Sequence, residues 1–272
     1  FDLSWNYYSN EELLDKIIAS VITEDLSQAN KIARKLITKD KDNQEAYIVK
    51  LVYLYVNKEI KKIKKLYKEQ QNKNELIDFI FFNNNELKDK STISNSLIDI
   101  VTSSFSNADQ RTLNYNFLLF YSSLAKIMDE NNDRATLIKG ELFQKVKQFK
   151  VAREIFEIIQ PSSPYYIDAQ RSLAINYSYY SPYDEAVKNI KNILKINNNN
   201  YLLKKILADF YRVNKKYKLA IPIYNEMLKA NQEDLWNIYY MRGICYEQLG
   251  DWDLAEKDFL KSLEIKPDSP NV

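Results

Sequence analysis

The sequence contains no histidine, and its only cysteine is Cys245. The commonest general base and the commonest metal ligand are therefore missing together. Cys245 lies inside an apolar helical pattern, which fits a packed, inert thiol rather than a nucleophile. A lone cysteine makes no internal disulfide, so it leaves the compartment open. Three glycines in 272 residues rule out a glycine-rich loop that cradles phosphate. With 37 acidic residues, some carboxylates fall close together by chance. Asp251 with Asp253, and Glu256 with Asp258, are such pairs. Each sits near an expected helix start, where negative charge complements the helix dipole, and a structural role accounts for both. The chemistry on offer points to a non-catalytic protein with no cofactor.

Thirty-nine basic residues against 37 acidic ones give a net charge of +2, too weak a field to imply nucleic acid or an anionic membrane as partner. One stretch departs from this balance. Lys58, Lys61, Lys62, Lys64, Lys65 and Lys68 crowd a segment whose apolar residues Ile60, Ile63, Leu66 and Tyr67 recur at three- and four-residue spacing. The lysines then form the opposite, solvated face of a helix. The alternative function, a nucleic-acid-binding helical repeat, would use this Lys58–Lys68 helix. No run approaches the roughly 20 apolar residues of a membrane span. The first residue is Phe rather than Met, which a removed leader would explain.

The elements that position these residues are helices. Three Gly and six Pro are too few for a sandwich or barrel of tight turns, while 45% apolar and 28% charged residues suit a folded chain. Two amphipathic patterns occupy 10–38, marked by Leu13, Leu14, Ile17 and Ile18, then by Leu26, Ala29, Ile32, Ala33 and Leu36. Residues 44–56 are apolar around most of a helical circumference and should be well buried. Residues 75–128 are less regular. Helices are expected over Leu76 to Phe82, ending at Asn83-Asn84-Asn85, over Ile93 to Phe105, and over Asp109 to Met128, with a polar break at Asp129–Asp133.

From residue 133 a period emerges. Ala152, Ala186, Ala220 and Ala255 are 34, 34 and 35 residues apart. An aromatic stands three residues before each (Phe149, Tyr183, Tyr217, Trp252), and Phe156, Ile190, Tyr224 or Phe259 four residues after. In each preceding helix a small residue (Gly140, Ala174, Ala208, Gly243) comes three residues before Phe143, Tyr177, Tyr211 or Tyr246. Small residues let paired helices approach closely, and large ones fill the space between successive pairs. Ser163-Pro164 and Ser181-Pro182 should cap helices that start at the proline. Gly250-Asp251 should supply a left-handed stop and the next cap.

The last unit resembles the tetratricopeptide repeat (TPR), a pattern of about 34 residues reading W-x2-L-G-x2-Y, then A-x3-F, then P. Tyr239, Arg242, Gly243, Tyr246, Ala255, Phe259 and Pro267 occupy those positions. Tyr replaces Trp, and Arg242 replaces a buried Leu, so it requires a carboxylate or carbonyl partner. The resemblance, strongest to bacterial multi-repeat proteins, implies an all-α, right-handed α-solenoid of antiparallel helix pairs. Four repeats are expected at 133–166, 167–200, 201–235 and 236–269. Ala29 and Ile63, 34 apart, extend the phase into degenerate hairpins within 1–76, with an irregular helical segment at 77–132. The outer face around Leu254, Leu260 and Leu263 should meet another helix.

The resemblance also implies where a partner would bind, since the first helices of such repeats line a concave face. Its groove positions fall on Leu137, Glu141 and Lys145; on Arg171, Ile175 and Tyr179; on Lys205, Asp209 and Arg212; and on Tyr240, Ile244 and Glu247. Ser178 and Val213 hold further positions of the same kind. That mixed surface suits a protein partner offering an extended peptide or a helix. The Lys and Asn clamp by which some members bind a terminal carboxylate pair is not reproduced, because Leu137 with Glu141, Arg171 with Ile175 and Lys205 with Asp209 stand in its place. The family resemblance leaves both the bacterial periplasm or cell envelope and the cytoplasm open.

Overall fold

A computed structural model describes residues 8–70, 75–107, 113–196, 200–229 and 235–268. Among these residues the helices are α1 (Asn10–Ile22), α2 (Leu26–Lys39), α3 (Gln44–Val56), α4 (Ile60–Gln70), α5 (Glu75–Phe81), α6 (Lys90–Asn107), α7 (Tyr115–Met128), α8 (Asp133–Lys145), α9 (Phe149–Glu157), α10 (Tyr166–Tyr180), α11 (Tyr183–Ile196), α12 (Tyr201–Val213), α13 (Tyr217–Leu228), α14 (Leu235–Leu249) and α15 (Trp252–Ile265). The fold is all-α, and among the described residues the one exception is a hairpin of two two-residue strands. No described helix is long and apolar enough to cross a membrane. The expected repeat boundaries near 200 and 235 adjoin residues 197–199 and 230–234, which lie outside the described residues, as do 109–112 of the helix expected from Asp109.

The chain divides into two compact units, Phe1–Tyr166 and Ile167–Val272. Within the first, each of α1, α2 and α3 packs on the next, as do α6, α7 and α8. Beyond these neighbour contacts, α1 and α3 also pack on α7, so a single core runs from Leu13 to Leu142. A strictly one-dimensional stack makes only nearest-neighbour contacts. Here Lys139 of α8, its side chain 7% exposed, also pairs with Glu24 just past α1, Nζ to Oε1 2.6 Å. Expected burial of α3 is met, since seven of its residues from Ala46 to Leu54 are buried.

One turn recurs between paired helices. Glu24, Lys58, Lys147, Lys215 and Gly250 all adopt left-handed φ values of 58° to 81°. In each case the following amide donates back across the turn: Asp25 to Ser20, Glu59 to Leu54, Gln148 to Phe143, Lys216 to Tyr211 and Asp251 to Tyr246, at 2.8–3.0 Å. The left-handed residue itself donates three residues back, to Val21, Tyr55, Gln144, Arg212 and Glu247. This double bond is the Schellman stop, which satisfies carbonyls orphaned at a helix end. Glu24 and Lys58 stand 34 residues apart, so the N-terminal hairpins share the turn even where the side-chain signature fades.

The close approach expected at the small residues is present. A Cβ on Gly140 would come within 2.5 Å of the Phe156 ring, and one on Gly243 within 2.7 Å of Phe259. Ala174, Ala186, Ala208 and Ala220 are fully buried. The aromatics three residues before the repeat alanines differ from expectation: Phe149, Tyr183 and Tyr217 are half-buried, and Trp252 is exposed. Leu254 and Leu260 are exposed and Leu263 half-buried, on the face expected to meet a further helix.

Three local expectations are corrected. Helix α5 stops at Phe81 rather than Phe82, and Asn83–Asn85 turns a hairpin: Phe82 pairs with Leu87 and Asn83 with Glu86. Asn84 and Asn85 both take positive φ, the demand of a type I′ turn, and the Tyr67 hydroxyl donates to Asn85 Oδ1 at 3.0 Å. At Ser163-Pro164 the serine hydroxyl accepts from the Tyr165 amide at 3.2 Å, closing a turn ahead of α10, which starts only at Tyr166. Pro182 accepts the Ala186 amide through its carbonyl at 2.9 Å, which makes it the N-cap of α11 rather than its first residue. Gly250 is the left-handed stop, but Asp251 caps α15 without a side-chain hydrogen bond.

Candidate functional site

In the second unit α10 and α12 enclose a groove of about 430 Å³. Helix α10 supplies Ile175, Ser178 and Tyr179; α12 supplies Ile206, Asp209, Phe210, Arg212 and Val213, with Asn214 just beyond its end. Periodicity explains the alignment. Ile175, Ser178 and Tyr179 are three and four residues apart, as are Ile206, Asp209, Phe210 and Val213, so each set shares one helix face. Tyr179 is 75% and Val213 69% exposed, an aromatic and an aliphatic side chain open to a ligand. Phe210 is anchored from behind by stacking on Tyr183 of α11, ring centroids 5.5 Å apart.

The polar floor is a network centred on Asp209. Its Oδ1 accepts from the Tyr224 hydroxyl at 2.6 Å and its Oδ2 from Lys205 Nζ at 2.8 Å. Arg212 Nε lies 3.7 Å from the same carboxylate and makes no hydrogen bond with a described residue. Burial, reinforced by Asp209, pushes the Tyr224 phenol far above its ordinary range, so it stays a neutral donor. Burial works against the Arg212 charge, but Tyr224 and Asp209 outweigh it and hold the guanidinium protonated. The result is a groove with apolar walls and a fixed charge pair at its base.

Of the groove positions carried over from the repeat pattern, the structure brings together Ile175, Tyr179, Asp209 and Arg212, with Lys205 joined through Asp209. Arg171, one turn before Ile175, pairs with Asp168 at 3.0 Å. Leu137 is buried, Glu141 half-buried and Lys145 exposed, all on α8 in the first unit. Tyr240 packs on Phe259 of α15, centroids 5.8 Å apart, and Ile244 and Glu247 are half-buried on α14. Ile206, Phe210 and Tyr224 were not among the expected positions. The three- and four-residue spacing around Asp209 is the signal that would have found the first two.

Arg242, the departure from the repeat pattern, has the partner its burial requires. Its Nε and one terminal nitrogen donate to the Asp258 carboxylate at 2.7 and 2.6 Å, and the other donates to Asn225 Oδ1 at 2.6 Å. Tyr239 and Tyr246 flank the guanidinium, ring centroids 5.6 and 5.7 Å away. Cys245 is buried, and burial pushes its thiol up to about 11. On α4, Ile63 is fully buried while Lys61, Lys62, Lys64, Lys65 and Lys68 are exposed.

Residues 236–269 match the family model of the tetratricopeptide repeat, the same span that the spacing of Gly243, Ala255 and Pro267 marks out. The structure is similar to that of MamA, residues 41 to the end, from Desulfovibrio magneticus RS-1: 13% identity, 67% of this chain and 98% of that chain covered, TM-score 0.52. A crystal structure of MamA protein aligns at 18% identity over 64% of this chain and 92% of that one, with a TM-score of 0.49. At such identities the likeness concerns the fold. A comparison with curated proteins gives no match. Residues 236–269 thus form a tetratricopeptide repeat, set in a chain of paired helices.

Proposed function

We propose that the protein is a non-catalytic scaffold that holds a partner by an extended peptide or short helix laid in the groove between α10 and α12. The observation that carries this reading is the groove itself: Tyr179 and Val213 are large, apolar and exposed, and they flank the half-buried Asp209 and Arg212. Exposed aromatic anchors beside a desolvated charge are what concentrates binding energy at protein interfaces. An apolar side chain of the partner fills the space over Ile175, Ile206 and Phe210. Arg212, half-buried beside Asp209, brings a positive charge to the groove that a partner carboxylate would complement.

The test is a peptide library panned against the protein, with the binders measured again by fluorescence anisotropy on variants. Tyr179→Ala and Val213→Asp each touch only exposed side chains and should leave the fold intact. Loss of one anchor should weaken binding by about tenfold or more, the scale of a hot-spot truncation. Binders with equal affinity for wild type and both variants would remove the groove from the account.

A further inference from the structure

The lysines of α4 are not needed by the groove, and their arrangement is one-sided. Ile63 is fully buried and Leu66 and Tyr67 are half-buried, which fixes the inward face of the helix. At 100° per residue, Lys61, Lys64, Lys65 and Lys68 fall together on the outward face, and all are exposed. No carboxylate occurs between Ile60 and Lys68. Glu59, immediately before the helix, is taken up by Lys62. Lys58, exposed at the left-handed turn, extends the positive charge beyond the helix start.

Exposed apolar side chains flank this charge. Val56 and Ile60, on either side of the Lys58 turn, are 45% and 36% exposed.

We infer that the outward face of α4 is a docking surface for an anionic lipid bilayer, held by lysine charge and by shallow insertion of Val56 and Ile60. Each lysine near such a surface contributes additively, and small apolar side chains add contact that a purely electrostatic ligand would not reward. Nucleic acid, the other polyanion, fits less well. The cations of Lys58–Lys68 are all lysines, without the arginine forks that read bases and phosphates in pairs. The aromatic ring of α4 that could stack on a base is already used: Tyr67 stacks on Phe82, centroids 3.6 Å apart, and Phe82 is buried.

The experiment is co-sedimentation of the protein with phosphatidylserine-containing vesicles and with vesicles of phosphatidylcholine alone, over a range of salt. The protein should pellet with the anionic vesicles, remain in solution with the neutral ones, and be released as salt rises. The triple variant Lys61→Gln, Lys65→Gln, Lys68→Gln should weaken the binding about a hundredfold. Val56→Ser should weaken it several-fold without altering the salt dependence. All four sites are exposed, and an unchanged circular dichroism melt would show that the variants fold. Equal binding to neutral vesicles, no binding to anionic ones at low salt, indifference to the lysine substitutions, or tighter binding to DNA than to vesicles at matched salt would each overturn the inference.

Discussion

Arg242 and Asp258 form a two-pronged ion pair between α14 and α15, with both hydrogen bonds shorter than 2.8 Å. The repeat pattern places a buried leucine where Arg242 stands. The chain accommodates the charge by placing a carboxylate sixteen residues on, one helix away, and Asn225 of α13 as a third acceptor.

Removing one partner strands the other. Asp258 is 3% exposed, and Asp258→Ala leaves the Arg242 guanidinium desolvated against two tyrosine rings. The expected loss is about 3 kcal/mol, the cost of an unpaired buried charge. The double variant Arg242→Leu, Asp258→Leu should recover most of it. Chemical denaturation of the three proteins measures both quantities, and a double variant no better than the single one would mean that the pair does more than neutralise itself.

The helix contacts at Gly140 and Gly243 leave no room for a methyl group. Gly140→Ala drives a Cβ into the fully buried Phe156 ring and should destabilise by roughly 1–3 kcal/mol. Gly250→Ala meets no neighbour but must hold φ at 81°, a strain of about 1 kcal/mol. The complement is Lys215→Gly, which relieves a left-handed lysine and should raise stability by up to about 1 kcal/mol. Thermal melts that rank these three in another order would contradict the packing described.

Much of this was legible in the residues, and the limits have physical causes. Small residues recurring every 34 or 35 positions define the helix pairs, because only they permit the approach that the large residues then fill. Gly250 marked its turn for a different reason, its left-handed φ. Glu24, Lys58, Lys147 and Lys215 make the same turn with ordinary side chains, so nothing in their chemistry announces it. Asn84 and Asn85 mark the end of α5 but not the hairpin they turn, because asparagine favours both loops and left-handed turns. An apolar face shows that a helix is covered but not by what, which is why the packing of α1 on α7 and the Lys139–Glu24 pair were out of reach. In the groove, Ile175, Tyr179, Asp209 and Arg212 followed from the repeat register. Tyr224 did not, since its role depends on its hydroxyl meeting Asp209 across helices.

Alkaline pH should weaken the fold. Burial raises the Cys245 thiol from 9.0 to about 11, so the folded state keeps a proton that the unfolded state releases earlier. This contribution is fully present below about pH 9 and is lost as pH rises through about 11. Tyr224, also raised by burial, acts in the same direction. Urea midpoints measured between pH 8 and the alkaline range should fall, and the thiol should resist disulfide reagents at pH 8 until the protein unfolds. Rapid labelling of folded protein would contradict the burial of Cys245.

The lysine face and the groove are separate surfaces with separate readouts. A peptide selected on the groove should bind the Lys61, Lys65 and Lys68 glutamine variant as tightly as wild type. Anisotropy titrations that show a parallel loss would mean that the peptide is held by charge on α4.

The most direct measurement places a photo-crosslinking amino acid at Val213, in the groove, and in a second protein at Ile158, also exposed and on neither α10 nor α12. A bound peptide should crosslink at Val213 and not at Ile158, and unlabelled peptide should compete it away. Crosslinking at Ile158 with none at Val213 would show that the partner does not lie between α10 and α12.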